Sequence, residues 1–299
     1  MSVLNPLVTN EPPLVQPRRA TGVLRQALTL GRTRVGVALL IIVGGIAVIG
    51  PLVAPHGPQD YLGLLPNQGA SAKALFGTDH LGQDVWSRFL DGGREILLLA
   101  LAATVIGLVV GVTLGLLAAY TKGFVDDALM RGMDVILAFP SIMLALVAIA
   151  TLGASYWLVI VAVGLTNIPR VARITRAAAQ PIVERDFVAA AEAIGVPRLR
   201  ILFGEILPNV LSPLMVEGSL RLTYSIGLIA GLAFLGFTPN PNGADWGVMI
   251  QENYIALSVQ PWGVVLPVVA IAFLTMATGM IGDGIARAAA GIDRTRSAE

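Results

Sequence analysis

Phe187-Val-Ala-Ala-Ala-Glu-Ala-Ile-Gly195, continuing as Val196-Pro-Arg-Leu-Arg-Ile-Leu-Phe-Gly-Glu-Ile-Leu-Pro208, is a polar connector between two strongly apolar regions. Ala189, Ala190 and Ala191 give a smooth helical surface that another protein can approach closely. Gly195 is placed to end that helix, because glycine tolerates the left-handed conformation of a C-terminal cap. Pro197 suits the first turn of a second helix, with Arg198 after it. Pro208, following Leu207, is expected to stop or kink that helix. The predicted unit is a helix–glycine–helix elbow, with Gly195 as its cap or hinge. If the flanking regions cross a membrane, such an elbow on the cytoplasmic side is a docking knob.

The flanking regions do read as membrane spans. The chain is 55% hydrophobic and only 13% charged, where an ordinary soluble domain has about 25% charged residues. The fold class expected is therefore an all-α integral membrane protein. A net charge of +1 argues against a nucleic-acid binder that works by neutralising phosphates. There is no cysteine, which excludes disulfides, thiolate metal sites and cysteine nucleophiles. The N-terminus shows no short apolar run with a small-residue cleavage site, so no removable signal peptide is expected.

A spanning helix needs about 20 apolar residues. Six segments qualify: Val35–Val53, Ile96–Tyr120, Val135–Leu152, Ala154–Pro169, Val210–Phe237 and Gly263–Gly282. The fourth is short and runs into Arg170, Arg173 and Arg176, so it is expected to continue as a helix beyond the bilayer. The basic residues fall on one side. Arg18, Arg19, Arg25, Arg32 and Arg34 precede the first span, Lys122 and Arg131 lie between the second and third, six arginines follow the fourth, and Arg287, Arg294 and Arg296 follow the sixth. The other side has Lys73, Arg88 and Arg94. By the positive-inside rule both termini and the elbow are cytoplasmic. The expected layout is a cytoplasmic tail (1–34), a first span (35–55), an external loop (56–95), a five-helix core (96–285) carrying the elbow (184–208), and a cytoplasmic tail (286–299).

With orientation and spacing in hand, the elbow resembles the coupling motif of ABC importer permeases: Glu-Ala-Ala, three variable residues, Gly, and about a dozen residues later Leu-Pro. The matching positions are Ala190, Ala191, Gly195, Leu207 and Pro208; Ala189 stands where the family has Glu, and Glu205 where it often has His. Three more blocks follow in the family's order. Phe76-Gly-Thr-Asp-His-Leu-Gly-Gln-Asp-Val-Trp-Ser-Arg88 with Gly92-Gly-Arg94 resembles a block of the second-subunit dipeptide and oligopeptide permeases, Gln83 replacing Arg. Asp127, Arg131, Asp134 and Phe139-Pro140 resemble another, and Ala233-Phe-Leu-Gly236 with Pro239, Pro241 and Trp246-Gly247 a third. The resemblance covers nearly everything after residue 30. It implies a type I importer fold, with one N-terminal helix added to a five-helix core in a bacterial cytoplasmic membrane. It also implies four kinds of association: a second, similar permease, two ATP-binding subunits, an external substrate-binding protein and the lipid bilayer. The substrate implied is a di- or oligopeptide, with nickel or another small solute as the alternative within the class.

Individual residues were weighed against plainer roles. Glu217 and Arg221 are four apart on one helical face. A charge inside the bilayer faces a partner or an aqueous cavity, so the pair either borders the substrate path or is an intrahelical ion pair. Gly107, Gly111 and Gly115 form a small-residue stripe that suits close helix packing. His80, between Asp79 and Asp84, invites a metal site, but with neither a second nearby His nor a Cys, turn chemistry is the expectation. Trp246 either anchors at the membrane interface or belongs to a loop folded toward the pore mouth. No Walker A pattern is present, and the only lysines are Lys73 and Lys122. No catalytic residue and no metal are expected in this chain; ATP and Mg belong to partner subunits. Rival classes are an ion-coupled secondary transporter, which would use midplane carboxylates, and a non-transporting membrane scaffold.

Overall fold

The structure, a computed structural model, describes residues 20–290. Arg18, Arg19, Arg294 and Arg296, used above for orientation, lie outside the described residues. The described chain is all helical apart from two isolated antiparallel bridges, Tyr61 with Gln83 and Thr78 with Asp84.

Five helices are long and apolar enough to cross a membrane. They are α2 (Gly31–Val53), α3 (Val85–Thr121), α6 (Tyr156–Val183), a continuous stretch ending in α9 (Leu207–Phe234), and α11 (Trp262–Ala290). The third expected span is different. It is a bent pair, α4 (Gly123–Leu137) and α5 (Ser141–Leu152), turned by 80° at the break. The expected start at Val135 is therefore corrected: α4 begins twelve residues earlier and carries Asp126, Asp127, Arg131 and Asp134. The break has a local cause. Pro140 disfavours helical geometry at Phe139 and is itself the N-cap of α5.

Three other boundaries move. The region read as an N-terminal tail contains α1 (Ala20–Ala27) and the first turn of α2. The last eleven residues of the expected external loop are already α3, because the Asp84 side chain accepts hydrogen bonds from Trp86 N and Ser87 N and starts the helix there. The C-terminal tail begins helical, as α11 runs to Ala290.

α3 and α6 form the spine. A methyl group at Gly107 would lie 2.6 Å from Asn167 Cβ, and one at Gly111 2.6 Å from Val171 Cβ. Gly115 is equally crowded by the Ala172 carbonyl and Thr175 Cβ. The glycine stripe thus packs helices within the subunit, as its spacing suggests. α2, α9 and α11 wrap this spine, and one large apolar cluster runs through Val43, Phe89, Ile96, Val163, Ile229 and Leu274.

The two ends of the bundle differ in build. One end, the cap, is made of residues 54–84 and 235–261. There Arg88 is buried and pairs with Asp79 and with Glu252 (2.8 Å), and donates to the Gly243 carbonyl at 3.0 Å. Asp79 also closes its own turn by accepting from Leu81 N and Gln83 N. His80 N donates to Asn253 Oδ1 at 3.1 Å, and Gln260 Nε2 to the Phe76 carbonyl at 2.6 Å. Trp246 is wholly buried: it stacks on Phe89 at 5.6 Å between centroids, and its indole N–H donates to the Phe89 carbonyl at 2.9 Å. Of the two roles left open for Trp246, the interface anchor is excluded on this ground. It is the pin that fastens α10 (Trp246–Asn253) to α3. The grouping of Asp79, His80 and Glu252 within 4.8 Å already holds a cation, the Arg88 guanidinium.

Candidate functional site: the elbow and the intramembrane charges

At the other end of the bundle, α7 (Asp186–Ala193) is followed by the three-residue α8 (Arg198–Arg200), a π-helical turn (Ile201–Ile206) and α9. Gly195 has φ +78°. Its N–H donates to the Glu192 carbonyl at 3.0 Å, and Val196 N–H to the Ala191 carbonyl at 3.0 Å. These two bonds make a Schellman cap, so of the two roles left open for Gly195 it takes the cap. Pro197 stands one residue earlier than expected, as N-cap of α8 rather than in its first turn.

Pro208 neither stops nor visibly breaks the helix, contrary to expectation. It falls in the first turn of α9, where a missing N–H is tolerated, and the π turn precedes it with Leu207 N–H bonded five residues back to Leu202. The wider turn accommodates the proline ring. Asn209 Nδ2 donates to the Glu205 carbonyl at 2.6 Å, next to the bond the proline cannot make.

The elbow is exposed on one side and anchored on the other. Ala189, Ala190, Gly195, Pro197, Arg198 and Pro208 are exposed, while Ala191 and Leu207 are half-buried. Ile194 is 80% and Leu199 70% exposed. Beneath them Val188, Ile201, Leu202 and Ile206 are buried against Leu116 and Ala119 of α3, Ala179 of α6, and Val210 and Leu214 of α9. This small core packs the elbow against the ends of three long helices.

Glu217 and Arg221 are both buried on α9, with Glu217 Oε1 2.7 Å from Arg221 Nε. The approach is off the N–H direction, and Arg221 Nη1 has no hydrogen-bond partner. The intrahelical ion pair is therefore real and incomplete. Its neighbours were not singled out from the sequence. Arg221 and Arg170 each place the guanidinium carbon 5.6 Å from the centroid of the Tyr224 ring. Next to Tyr224, Ser225 receives hydrogen bonds from Thr104 (3.1 Å) and Asn167 Nδ2 (2.9 Å). The other arginines of that row on α6 are spent on α4: Arg176 grips Asp126 with two bonds of 2.5 Å, and Arg173 pairs with Asp134. The signal that could have found Arg170 is its position fourteen residues into α6, too deep for a residue that merely trails a span.

Comparisons with known proteins agree with this architecture. The chain is 35% identical over 256 residues to a di/tripeptide transport system permease protein of Pseudomonas aeruginosa, with 84% of each chain covered. It is 34% identical over 292 residues to a dipeptide transport system permease protein of Alkalihalophilus pseudofirmus, covering 94% of each. A glutathione transport system permease protein of Pectobacterium atrosepticum is 34% identical, covering 84% of this chain and 83% of that protein. In fold, the chain matches a solved structure of the MetNI methionine ABC transporter in an inward-facing conformation, with TM-score 0.50 and 20% identity over 65% of this chain and 94% of that one. Residues 111–290 match the family described as binding-protein-dependent transport system inner membrane component, and this chain belongs to that family, as an all-helical permease subunit of an ABC importer.

Proposed function

We propose that this chain is one of two homologous permease subunits that together carry di- and oligopeptides across the bacterial cytoplasmic membrane. Both termini and the elbow are cytoplasmic, and the cap is external. Two ATP-binding subunits dock on the elbows, this chain binding neither ATP nor Mg itself, and a substrate-binding protein delivers peptide at the cap. The peptide class is favoured over nickel by the substrates named for the relatives.

The observation that carries the reading is the build of the elbow. Ile194 and Leu199 present apolar surface to solvent beside Arg198 and Arg200, and exposed apolar patches of this kind mark interaction sites. The small core beneath ties that surface to α3, α6 and α9. When ATP draws the two nucleotide-binding subunits together, each elbow is carried with them. Its anchor leaves no slack, so the inner ends of those helices move too, and the path between the permeases changes from inward-open to outward-open.

The test is Gly195→Asp in the reconstituted importer. An aspartate strains the φ +78° position and places a carboxylate on the docking face. The complex is expected to assemble and hydrolyse ATP with peptide uptake abolished. Full uptake by this variant would refute the coupling role.

A further inference from the structure

Arg170 stands in a place where a charge is costly. It lies ~21 Å along α6 from Tyr156, and Arg221 lies ~20 Å along α9 from Phe234, at 1.5 Å per residue. α6 starts and α9 ends at the cap end, so the two residues share a depth well inside a hydrocarbon layer about 30 Å thick. Arg170 is nonetheless exposed, and among the described residues it forms no ion pair. An arginine at such depth does not face lipid; it faces water or protein. On the same patch, buried Arg221 keeps Nη1 without a partner, and Glu217 neutralises only one of the two guanidinium groups. The patch therefore has one uncompensated positive charge. Tyr224 holds both guanidinium groups by cation–π contact, and Arg221 is further fixed by Glu217. The donors are thus pre-positioned rather than loose.

Resting on the peptide-importer reading, we propose that Arg170, Arg221 and Tyr224 form a carboxylate-recognition site on the translocation path, which receives the C-terminal carboxylate of a peptide in transit. A planar guanidinium matches a carboxylate with two parallel hydrogen bonds. The site is weak by construction, since Glu217 competes for Arg221, and a weak site suits a path that must release its cargo. It adds a selection for free-acid peptides that is separate from whatever the binding protein selects.

The test uses the complete importer in liposomes, with its binding protein, and follows one labelled dipeptide as free acid and as C-terminal amide. Arg170→Gln is expected to lower free-acid uptake about tenfold, the loss of one charge-assisted hydrogen bond. Arg170→Lys keeps the charge and is expected to stay within about threefold of wild type, since a point charge replaces a bidentate fork. Amide uptake is expected to fall by less than free-acid uptake, since an amide presents no carboxylate for Arg170 to receive. Unchanged free-acid uptake in Arg170→Gln overturns the proposal, as does a Lys variant no better than Gln. Loss of the second permease from purified Arg170→Gln complex also overturns it, by making Arg170 a subunit contact. A wild-type importer that moves no peptide in either form removes the peptide reading and this site with it.

Discussion

The cap and the elbow sit at opposite ends of the same bundle and are held together by opposite means. The cap draws its partners from its own chain, with Asn67 Oδ1, His80 Nδ1 and Arg88 Nε left over. Arg88 pairs with Asp79 and Glu252, the turns are closed by Asp79 and Asp84, and Trp246 and Gln260 spend their donors on backbone carbonyls. The elbow has only a thin apolar underside, and it leaves Ile194, Leu199 and three neighbouring arginines, Arg185, Arg198 and Arg200, in solvent. A buried polar network holds the segments it links in one arrangement. An exposed apolar and cationic face is unfinished until something covers it. The lesson is that one end of this subunit is completed by its own chain and the other is left open.

The comparison breaks first, and hardest, at Arg88. Replacing it with Met strands Asp79 and Glu252 in the interior, and loss of one partner from a buried ion pair costs about 3–5 kcal/mol. Thermal unfolding of the purified complex is expected to shift sharply downward. If Arg88→Met melts like wild type, the cap is not the self-sufficient end described here.

Asp245 sharpens the contrast in another way. It caps α10 by accepting from Gly247 N and Val248 N, and its burial pushes its pKa from 3.8 to about 7, with a smaller contribution from nearby Glu95. Unfolded, the same carboxyl ionises near 3.8. The unfolded chain therefore releases this proton first as pH rises. Stability contributed by keeping Asp245 protonated is present below about pH 4, is lost progressively as pH rises toward about 7, and changes no further above that. The loss is on the order of 4 kcal/mol. Asp245→Asn is expected to flatten this slope, read from melting temperatures at pH 4.5 and pH 8. A slope of wild-type size in the variant would assign the titration to another group.

The smallest effect on stability is expected at the elbow. Leu199→Ser removes an exposed apolar side chain and is expected to shift unfolding by no more than about 0.5 kcal/mol, while peptide uptake falls severalfold. If Leu199→Ser destabilises the complex as much as Arg88→Met does, Leu199 packs as core and the two ends are not different in kind.

Much of this was legible from residues alone. Charge-free runs marked most of the long helices. Gly195 announced its cap because left-handed backbone at a helix end strongly favours glycine. The glycine stripe announced a tight helix pair, though not that α6 was the partner. What stayed hidden depended on distant contacts. The α4–α5 break sits at Phe139-Pro140 within an unbroken apolar stretch, so hydropathy joined what backbone geometry separates. Trp246 lies among prolines and glycines and looked like a surface aromatic, because its partner Phe89 is 157 residues away in sequence. Arg170 reads as a connector charge, because its contact with Tyr224 joins helices 54 residues apart in sequence. Pro208 misled because the rule for prolines assumes an α-helix, and the chain supplies a π turn instead.

That π turn has a consequence for the timing of the whole subunit. A π turn is one residue inserted into an α-helix, and one residue is about 100° of rotation. Everything on α9 beyond Ile206 is thus set about 100° around from where an unbroken helix leaving the elbow would put it. On the reading proposed above, that single added residue sets the angle between the elbow, where the ATP-binding subunits dock, and Arg221, which meets the cargo. The segment works as a keyway between two shafts, fixing the angle at which a push at one end arrives at the other.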